Sequence, residues 1–289
     1  MAYGLGVLGL LCLPLTSGTA QEGHSSTKEL RSLARRVEDL EYKLVHITSG
    51  PDDVTISGAN LRIVNGLGAT NTKNGLGNLI VGYNELRQDD TIFCGPPSPP
   101  SDTRTGSHNI VVGKELNFAS YGGLVVGQCN DIFGTFSSVT GGTRNEASGD
   151  FASVSGGHFN TAFATYTSVT GGSNNRATFQ DATVSGGQRN TASGFGASVS
   201  GGTGNTASGV PELPTPWASS VSGGINNTAG GPFSSISGGV GNRATGSGSS
   251  VSGGENNTAS GDFSSVSGGS NRSAPGTENW AAGALSSPN

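Results

Sequence analysis

Histidines, cysteines and carboxylates are the side chains of this sequence with which acid–base, nucleophilic or metal chemistry could be done. The four histidines are scattered and lack the short spacings of metal-ligand motifs. They are His24, His46, His108 and His158. The carboxylates form no evident pair on a common face; Glu146, Asp150 and Glu255, for example, fall at turn positions of a repeat. The sequence therefore predicts no catalytic residue, no cofactor and no metal site, and we expect a protein that is not an enzyme.

Paired glycines recur through the second half of the chain, as at Gly156-Gly157 and Gly253-Gly254. Phosphate-binding glycine loops join a strand to a helix, whereas these pairs recur at the corners of a repeat. Calcium-binding rolls need a repeated aspartate, and this repeat has no aspartate row. The glycines therefore predict neither a phosphate site nor a calcium site.

Two cysteines, Cys94 and Cys129, remain once Cys12 is assigned to an apolar N-terminal stretch that is expected to be removed. In an exported protein they could form a disulfide within one chain, pair between subunits, or stay as free thiols. An intrachain bond would contribute about 3–4 kcal/mol in the chain-entropy model.

A single motif of five residues organises the chain: Ser/Thr, Val/Ile, Ser/Thr, Gly, Gly. It occurs nine times between Ser138 and Gly269, in steps of 15 residues with one step of 22. Such a period predicts a solenoid in which each coil packs only on the coils above and below it. The apolar residue of each motif is expected to form the solenoid core, at Val139, Val154, Val169, Val184, Val199, Val221, Ile236, Val251 and Val266.

The residues around each core position predict the shape of one coil. Alternation along a strand turns the flanking Ser and Thr outward, and the glycine pair suits a tight corner. In eight of the nine repeats, an Asn stands six positions after the core residue. This Asn suits a left-handed bend and could also form a ladder between coils. Outward aromatic residues are expected to form either a subunit interface or a binding face, at Phe151, Tyr166, Trp217, Phe233 and Phe263.

The predicted core is thin. Burying one Val is worth roughly 1.5–3 kcal/mol, whereas ordering each residue costs roughly 1–2 kcal/mol of backbone entropy. One Val and one Ala in each coil do not offset that cost over a whole coil. Ladder hydrogen bonds, end caps and other subunits must supply the remainder, so the sequence predicts self-association.

The N-terminal segments predict export and assembly. Residues 1–20 are typical of a signal peptide cleaved near Ala20, which implies an extracellular or cell-surface protein, or a periplasmic one. Residues 27–48 predict a short coiled-coil helix, opened by a capping box at Ser26 and Glu29 and ended by Gly50-Pro51. Its seam is expected at Leu30, Leu33, Val37, Leu40, Leu44 and Ile47.

The remaining chain divides into three predicted segments. Residues 52–135 form irregular capping coils, in which Leu124 precedes Val139 by one repeat length and a proline-rich loop spans residues 88–106. Residues 136–276 form regular coils, with an insertion at residues 210–217. Residues 277–289 are expected to be a frayed cap.

No integral membrane segment is expected in the mature chain. A net charge of −5 without a basic block disfavours nucleic-acid partners.

The repeat resembles the head repeats of trimeric autotransporter adhesins of the YadA-like type. The segment Ser250-Val251-Ser252-Gly253-Gly254-Glu255-Asn256-Asn257-Thr258-Ala259-Ser260-Gly261 illustrates the likeness, which covers about residues 75–275. The resemblance implies an all-β solenoid, a left-handed parallel β-roll that assembles as a homotrimer and attaches to a host surface, a matrix ligand or a glycan. Here the coiled coil precedes the roll, whereas that family usually places its stalk after the head, and no C-terminal membrane anchor is expected.

Two other functions remain open. Outward ranks of Ser and Thr could order water, as in an ice-binding solenoid. A polysaccharide-active enzyme on a β-helix would need acids and bases clustered on one face, and charged residues make up only 12% of the chain.

Overall fold

The computed structural model describes residues 20–87, 94, 103–209, 218–283 and 285–287. The predicted signal peptide before Ala20, most of the proline-rich loop, and the insertion with Trp217 lie outside the described residues. The chain divides into two compact units, Met1–Arg62 and Ile63–Asn289.

The first unit begins with an α-helix, and its bounds correct those predicted. The helix runs from Ala20 to Lys43 rather than over residues 27–48. Ser26 and Glu29 lie inside it, so the capping box does not mark its start. Charged side chains crowd the helix, and Lys43 Nζ pairs with Asp39 at 2.5 Å, one turn earlier.

A β-hairpin follows the helix and contains Ile47, the last residue of the predicted heptad seam. Leu44 lies in a turn, and Ile47 belongs to strand Ile47–Ser49, which pairs antiparallel with Val54–Ile56. Gly50 and its neighbouring proline connect these strands instead of capping a helix. The prediction failed because β-branched residues on both sides of a Gly-Pro turn favour pairing with each other over extending the helix. The irregular coils therefore do not begin at residue 52.

The second unit is a parallel β-solenoid, which confirms the predicted all-β solenoid with coils of about 15 residues. Each coil contributes a strand to each of two sheets, and 11 successive coils are represented in the second sheet. Among the described residues, the first sheet comprises Leu79–Val81, Ile110–Lys114, Leu124–Gln128, Ser138–Val139, Ser153–Val154, Ser168–Val169, Thr183–Val184, Ser198–Val199, Ser220–Val221, Ser235–Ile236, Ser250–Val251, Ser265–Gly268, Trp280–Ala282 and Leu285–Ser287. The second comprises Asn117–Phe118, Asp131–Ile132, Glu146–Ala147, Thr161–Ala162, Arg176–Ala177, Thr191–Ala192, Thr206–Ala207, Thr228–Ala229, Arg243–Ala244, Thr258–Ala259 and Ser273–Ala274.

The register of the sheets follows the sequence period. Val154 pairs with Val169 one coil later, and Val199 pairs with Val221 across the insertion. The earlier coils are one residue shorter, because Val125, and not Leu124, pairs with Val139. A shift of one residue turns a strand over, so this correction decides which side chains of the capping coils face inward.

The core is formed by small apolar side chains stacked from coil to coil. All nine apolar residues of the motif are no more than 1% exposed. Each coil adds a buried Ala from its second strand, such as Ala162 or Ala177. Larger side chains, Phe118 and Ile132, fill the first coils. The valine row therefore faces inward along its whole length and is unavailable to a ligand.

The repeated asparagines are buried inside the coil and form a continuous hydrogen-bonded ladder. The Asn190 N–H donates to Asn175 Oδ1 at 3.0 Å, and Asn190 Oδ1 accepts from the Asn205 N–H at 2.9 Å. Asn190 Nδ2 donates to the carbonyl oxygens of Gly186 and Gly202 at 2.8 and 3.0 Å. The left-handed residue is the one before each Asn, so the ladder, and not the predicted bend, explains the row.

The C-terminal residues continue the roll further than predicted. Trp280–Ala282 pairs parallel with Ser265–Gly268, and Ala281 takes the place of the core valine at 1% exposure. Trp280 Nε1 donates to Ser267 Oγ at 2.8 Å. Leu285–Ser287 then turns back and pairs antiparallel with Trp280–Ala282. The described residues of the predicted tail, 277–283 and 285–287, therefore extend the roll instead of fraying, because an added coil satisfies the backbone groups of the preceding one.

Candidate functional site: outward rows and the polar cluster of the first coils

Hydroxyl groups line the outside of the first sheet. Ser153 and Ser168, on neighbouring coils before the core valine, lie with their hydroxyl oxygens 3.2 Å apart. The Ser or Thr after each core residue, such as Ser155, is exposed. The face offers regularly repeated donors and acceptors without charge, so it is suited to weak contacts repeated along the column.

Aromatic side chains form a second outward row, at one corner of the coil. The rings of Tyr121, Phe136, Phe151 and Tyr166 follow one another with centroids 5.2–5.5 Å apart. Phe233 and Phe263 lie in the same row on later coils. The row built by the period in the described coils therefore contains Phe136, Phe151, Tyr166, Phe233 and Phe263. Tyr121 packs on the end of this row from a different position, because Gly122 takes the equivalent place in its shorter coil.

The backbone at this corner is left-handed, which non-glycine residues rarely adopt. Phe151 has a φ of 57° and Tyr166 a φ of 59°, while glycine takes the equivalent position at Gly196 and Gly248. Phe151 and Tyr166 are 48% and 53% exposed even in the stack. The aromatic row is thus held outward at some conformational cost, and much of its apolar surface remains uncovered within one chain.

A buried polar cluster forms in the first coils. Arg87 Nη2 lies 2.6 Å from Asp131 Oδ1, and these side chains are 8% and 13% exposed. Asn117 Nδ2 donates to the same oxygen at 3.0 Å. Burial raises the pKa of Asp131 above its ordinary value, although the Arg87 guanidinium and the Asn117 amide oppose this shift. Arg104 Nη1 donates to the carbonyl oxygen of Asn84 at 2.7 Å.

We expect Asp131→Ala to lower the free energy of unfolding by about 2 kcal/mol, because the largely buried Arg87 guanidinium and the Asn117 amide then lose the acceptor that they share. Denaturation monitored by circular dichroism measures the change. Asp39→Ala is the matched control, because its ion pair with Lys43 has side chains that are 56% and 63% exposed and should contribute little. Equal losses in both variants would contradict a buried, stabilising pair.

Next to this cluster, Cys94 and Cys129 form a disulfide, with their Cα atoms 5.5 Å apart. Glu115 and Cys129 occupy the same left-handed corner of successive coils, with φ of 58° and 55°. Their side chains are therefore stacked neighbours. Glu115 Oε2 lies 2.7 Å from Cys94 Sγ and 3.4 Å from Cys129 Sγ. In the described part of the chain, these three residues are the group of possible metal-ligating side chains that the fold brings together.

The three histidines with described side chains, and the turn residue Asp150, make structural contacts. His46 contacts the Ser57 carbonyl oxygen, His108 contacts the Thr70 carbonyl oxygen, and His158 packs on Phe159. Asp150 accepts from the Thr135 N–H at 2.7 Å and so links two neighbouring coils. These contacts are local and structural, and none forms an acid–base pair.

Sequence reasoning did not identify Arg87, Glu115 or Asp131. The available signal was an acidic residue in a row where later coils carry mostly Thr and, twice, Arg: Asp131 is aligned with Glu146 and then with Thr161. An acidic residue in such a row indicates a partner of opposite charge, and Arg87 is that partner.

No helix among the described residues is both long and apolar enough to cross a bilayer.

In the comparisons with known proteins, no protein-family model matches the chain, and no curated protein matches it.

Proposed function

We propose that the chain is a non-catalytic structural protein, exported to the cell surface or beyond, that assembles as a homotrimer and serves in attachment. In this proposal the solenoid is a rigid column similar to the head of a YadA-like adhesin. The hydroxyl and aromatic rows, together with the loops, present repeated weak contacts to a surface, a matrix protein or a glycan.

The observation that carries the proposal is an amphipathic helix with an uncovered apolar side. Leu30, Leu33, Val37 and Leu40 are 63%, 53%, 43% and 54% exposed. They recur at alternating spacings of three and four, which is the a/d pattern of a coiled coil. In proteins, a helix gains most of its stability from the packing of its apolar face rather than from the helix alone. Packing against identical helices would bury the side chains that one chain leaves in solvent.

The solenoid supports the same assembly. Its core residues are small, and the rings of Phe233 and Phe263 remain 56% and 66% exposed. Leu79, Ile80 and Val81 on the first strand of the roll are 41%, 38% and 54% exposed. Exposed apolar side chains that recur in this way suit an interface between copies of the chain. Both units therefore offer apolar area that a second and third copy would cover.

Sedimentation of the purified chain should give the mass of three chains. Leu33→Glu places a charge in the helix seam and should shift the protein towards smaller species. Ser32→Glu adds the same charge next to the seam and should leave the mass unchanged. A wild-type protein that sediments as one chain at every concentration contradicts the trimer. Antibody labelling of intact cells tests export separately, and a protein detected only after permeabilisation contradicts surface attachment.

A further inference from the structure

We propose that Cys94, Cys129 and Glu115 form a redox-gated binding site for one soft divalent cation of the zinc class, which is closed while the disulfide is formed and opens when it is reduced. The inference does not depend on the proposed trimer or on attachment, because all three side chains belong to one chain. It starts from a contact that the disulfide does not explain.

The unexplained contact is that of the Glu115 carboxylate with sulfur. Glu115 is 11% exposed, and its Oε1 lies 3.2 Å from Lys114 Nζ. Its other oxygen, Oε2, faces the sulfur atoms of Cys94 and Cys129 at 2.7 and 3.4 Å. Disulfide sulfurs have no proton to donate, so in the oxidised form this carboxylate oxygen faces atoms that cannot form a hydrogen bond with it. Lys114 thus partners one oxygen of the carboxylate, and the other oxygen is directed at the two sulfur atoms.

The geometry of the three side chains suits a small cation. Each offers one ligand atom, and the three atoms lie within 4.8 Å of one another. Around tetrahedral zinc, with Zn–S bonds of about 2.3 Å, two sulfurs stand roughly 3.8 Å apart. The Cα atoms of Cys94 and Cys129 are 5.5 Å apart, so side-chain rotation alone can provide this separation once the S–S bond is broken. A water molecule would complete four-coordination.

The solenoid holds two of the ligands rigidly. Glu115 and Cys129 follow strands that pair in parallel, and the Cys129 N–H donates to the Lys114 carbonyl oxygen at 3.1 Å. Cys129 is 2% exposed, whereas Cys94 is partly exposed. Two ligands are thus fixed on adjacent coils, and the third offers a route by which a reductant and then a metal ion reach the site.

The charges balance when the cation is bound. Two thiolates and the Glu115 carboxylate carry three negative charges, and Lys114 with a divalent cation carries three positive charges. Thiolate sulfur and carboxylate oxygen together are ligands that zinc accepts, whereas calcium and magnesium prefer sites made of oxygen alone. The donor set therefore selects zinc and its analogues cobalt and cadmium.

The gating step is a balanced thiol–disulfide exchange. A dithiol attacks the Cys94–Cys129 bond and is itself oxidised to a disulfide, which leaves two thiols on the protein after transfer of two electrons and two protons. Binding of the divalent cation then releases both thiol protons to solvent. A disulfide oxidant reverses the sequence: it takes up two electrons and, from solvent, two protons, the Cys94–Cys129 bond re-forms, and the cation is released.

The test uses the full-length, untagged chain, oxidised or reduced with a phosphine and desalted without air. Co²⁺ is the probe, with absorption of the thiolate–cobalt bond and metal content per chain as readouts. We expect one cobalt per reduced chain, displaced by Zn²⁺, and none per oxidised chain. In the reduced protein, Glu115→Gln should weaken binding at least about tenfold, and Cys94→Ser should abolish the thiolate absorption of a two-sulfur site. The exposed Glu255→Gln is the matched control and should bind like the wild type.

Circular dichroism of each sample establishes that the solenoid persists after reduction and substitution. The proposal is overturned if the reduced wild-type chain binds no cobalt, or if the oxidised chain binds as much as the reduced one. It is also overturned if Glu115→Gln binds as tightly as the wild type, because two thiols would then suffice. None of these results depends on the sedimented mass, so failure of this site and failure of the trimer are distinguishable.

Discussion

Replacing Asn190 by Ala should lower the free energy of unfolding by about 4 kcal/mol, although the side chain removed is polar. The Asn190 side chain links two neighbouring coils: it accepts from the Asn205 N–H and donates to the Gly186 and Gly202 carbonyl oxygens, at 2.8–3.0 Å. It is fully buried. The Gly202 oxygen also accepts from the Gln188 N–H, so the variant leaves the Asn205 N–H and the Gly186 oxygen without these partners, and each unsatisfied buried group costs about 1–3 kcal/mol.

Gln188→Ala is the control for this prediction, because Gln188 belongs to the same coil and is exposed. It should change stability by less than about 0.5 kcal/mol. Urea denaturation at one fixed chain concentration measures both variants, since self-association makes stability depend on concentration. If Asn190→Ala is no more harmful than Gln188→Ala, the ladder contributes no net stability and packing alone holds the coils together.

The ladder also illustrates what the sequence could predict. The repeated Asn was recognisable in the sequence as a structurally important position. Its role, however, depends on which residue of the corner adopts the left-handed backbone conformation. The left-handed residues stand one position earlier and are diverse: Arg144, Phe159 and Asn174 have φ of 55–57°. Preference of Asn for left-handed bends is a local tendency, and the buried amide ladder overrides it.

The core was easier to predict than the first coils. Alternation along a strand turns Val154 inward in any regular parallel coil, so its burial follows from the period. In the capping coils the period changes to 14, since Val125 pairs with Val139. If the 15-residue repeat of the later coils is applied here, Leu124 is predicted to face inward instead of Val125. Every side-chain contact predicted from that register is then wrong.

The candidate site was beyond sequence reasoning for a related reason. Glu115 and Cys129 become neighbours only in the shorter coil, and Cys94 joins them from a separate loop segment. Arg87 and Asp131 are 44 residues apart. Contacts between an irregular coil and an insertion leave no period in the sequence, so only coordinates show them.

Two adjacent glycines of one coil should respond very differently to the same substitution. Gly187→Ala should cost about 4 kcal/mol of unfolding free energy. Gly187 has a φ of 85°, and a Cβ atom there would lie 2.2 Å from the Gly202 carbonyl oxygen and 2.6 Å from Asn190 Nδ2. Backbone strain of about 1–3 kcal/mol adds to an overpacking cost of similar size, and the Asn190 hydrogen bonds are displaced as well.

Gly186→Ala is the matched variant, and a single chain gives no reason for it to matter. A Cβ atom at Gly186 meets nothing within 4 Å, and its φ lies outside the left-handed region. Six other first glycines are equally open to substitution or nearly so: Gly141, Gly156, Gly171, Gly201, Gly223 and Gly238. We therefore expect the folded chain to keep its stability. A loss as large as that of Gly187→Ala would contradict this account of the corner.

At Gly186 and its six open counterparts one chain therefore gives no reason for glycine, whereas Gly253 and Gly268 have φ of 155° and 142°. If copies of the chain approach each other closely at this corner, Gly186→Ala should reduce the sedimented mass while the circular dichroism of the coil is retained. Gly187→Ala should instead impair folding and assembly together. Unfolding and mass measured on the same pair of variants thus separate the part of the Gly-Gly motif that shapes one coil from any part that joins coils of different subunits. An unchanged mass for Gly186→Ala would exclude close packing at this corner and leave the aromatic row and the helix seam as the surfaces of association.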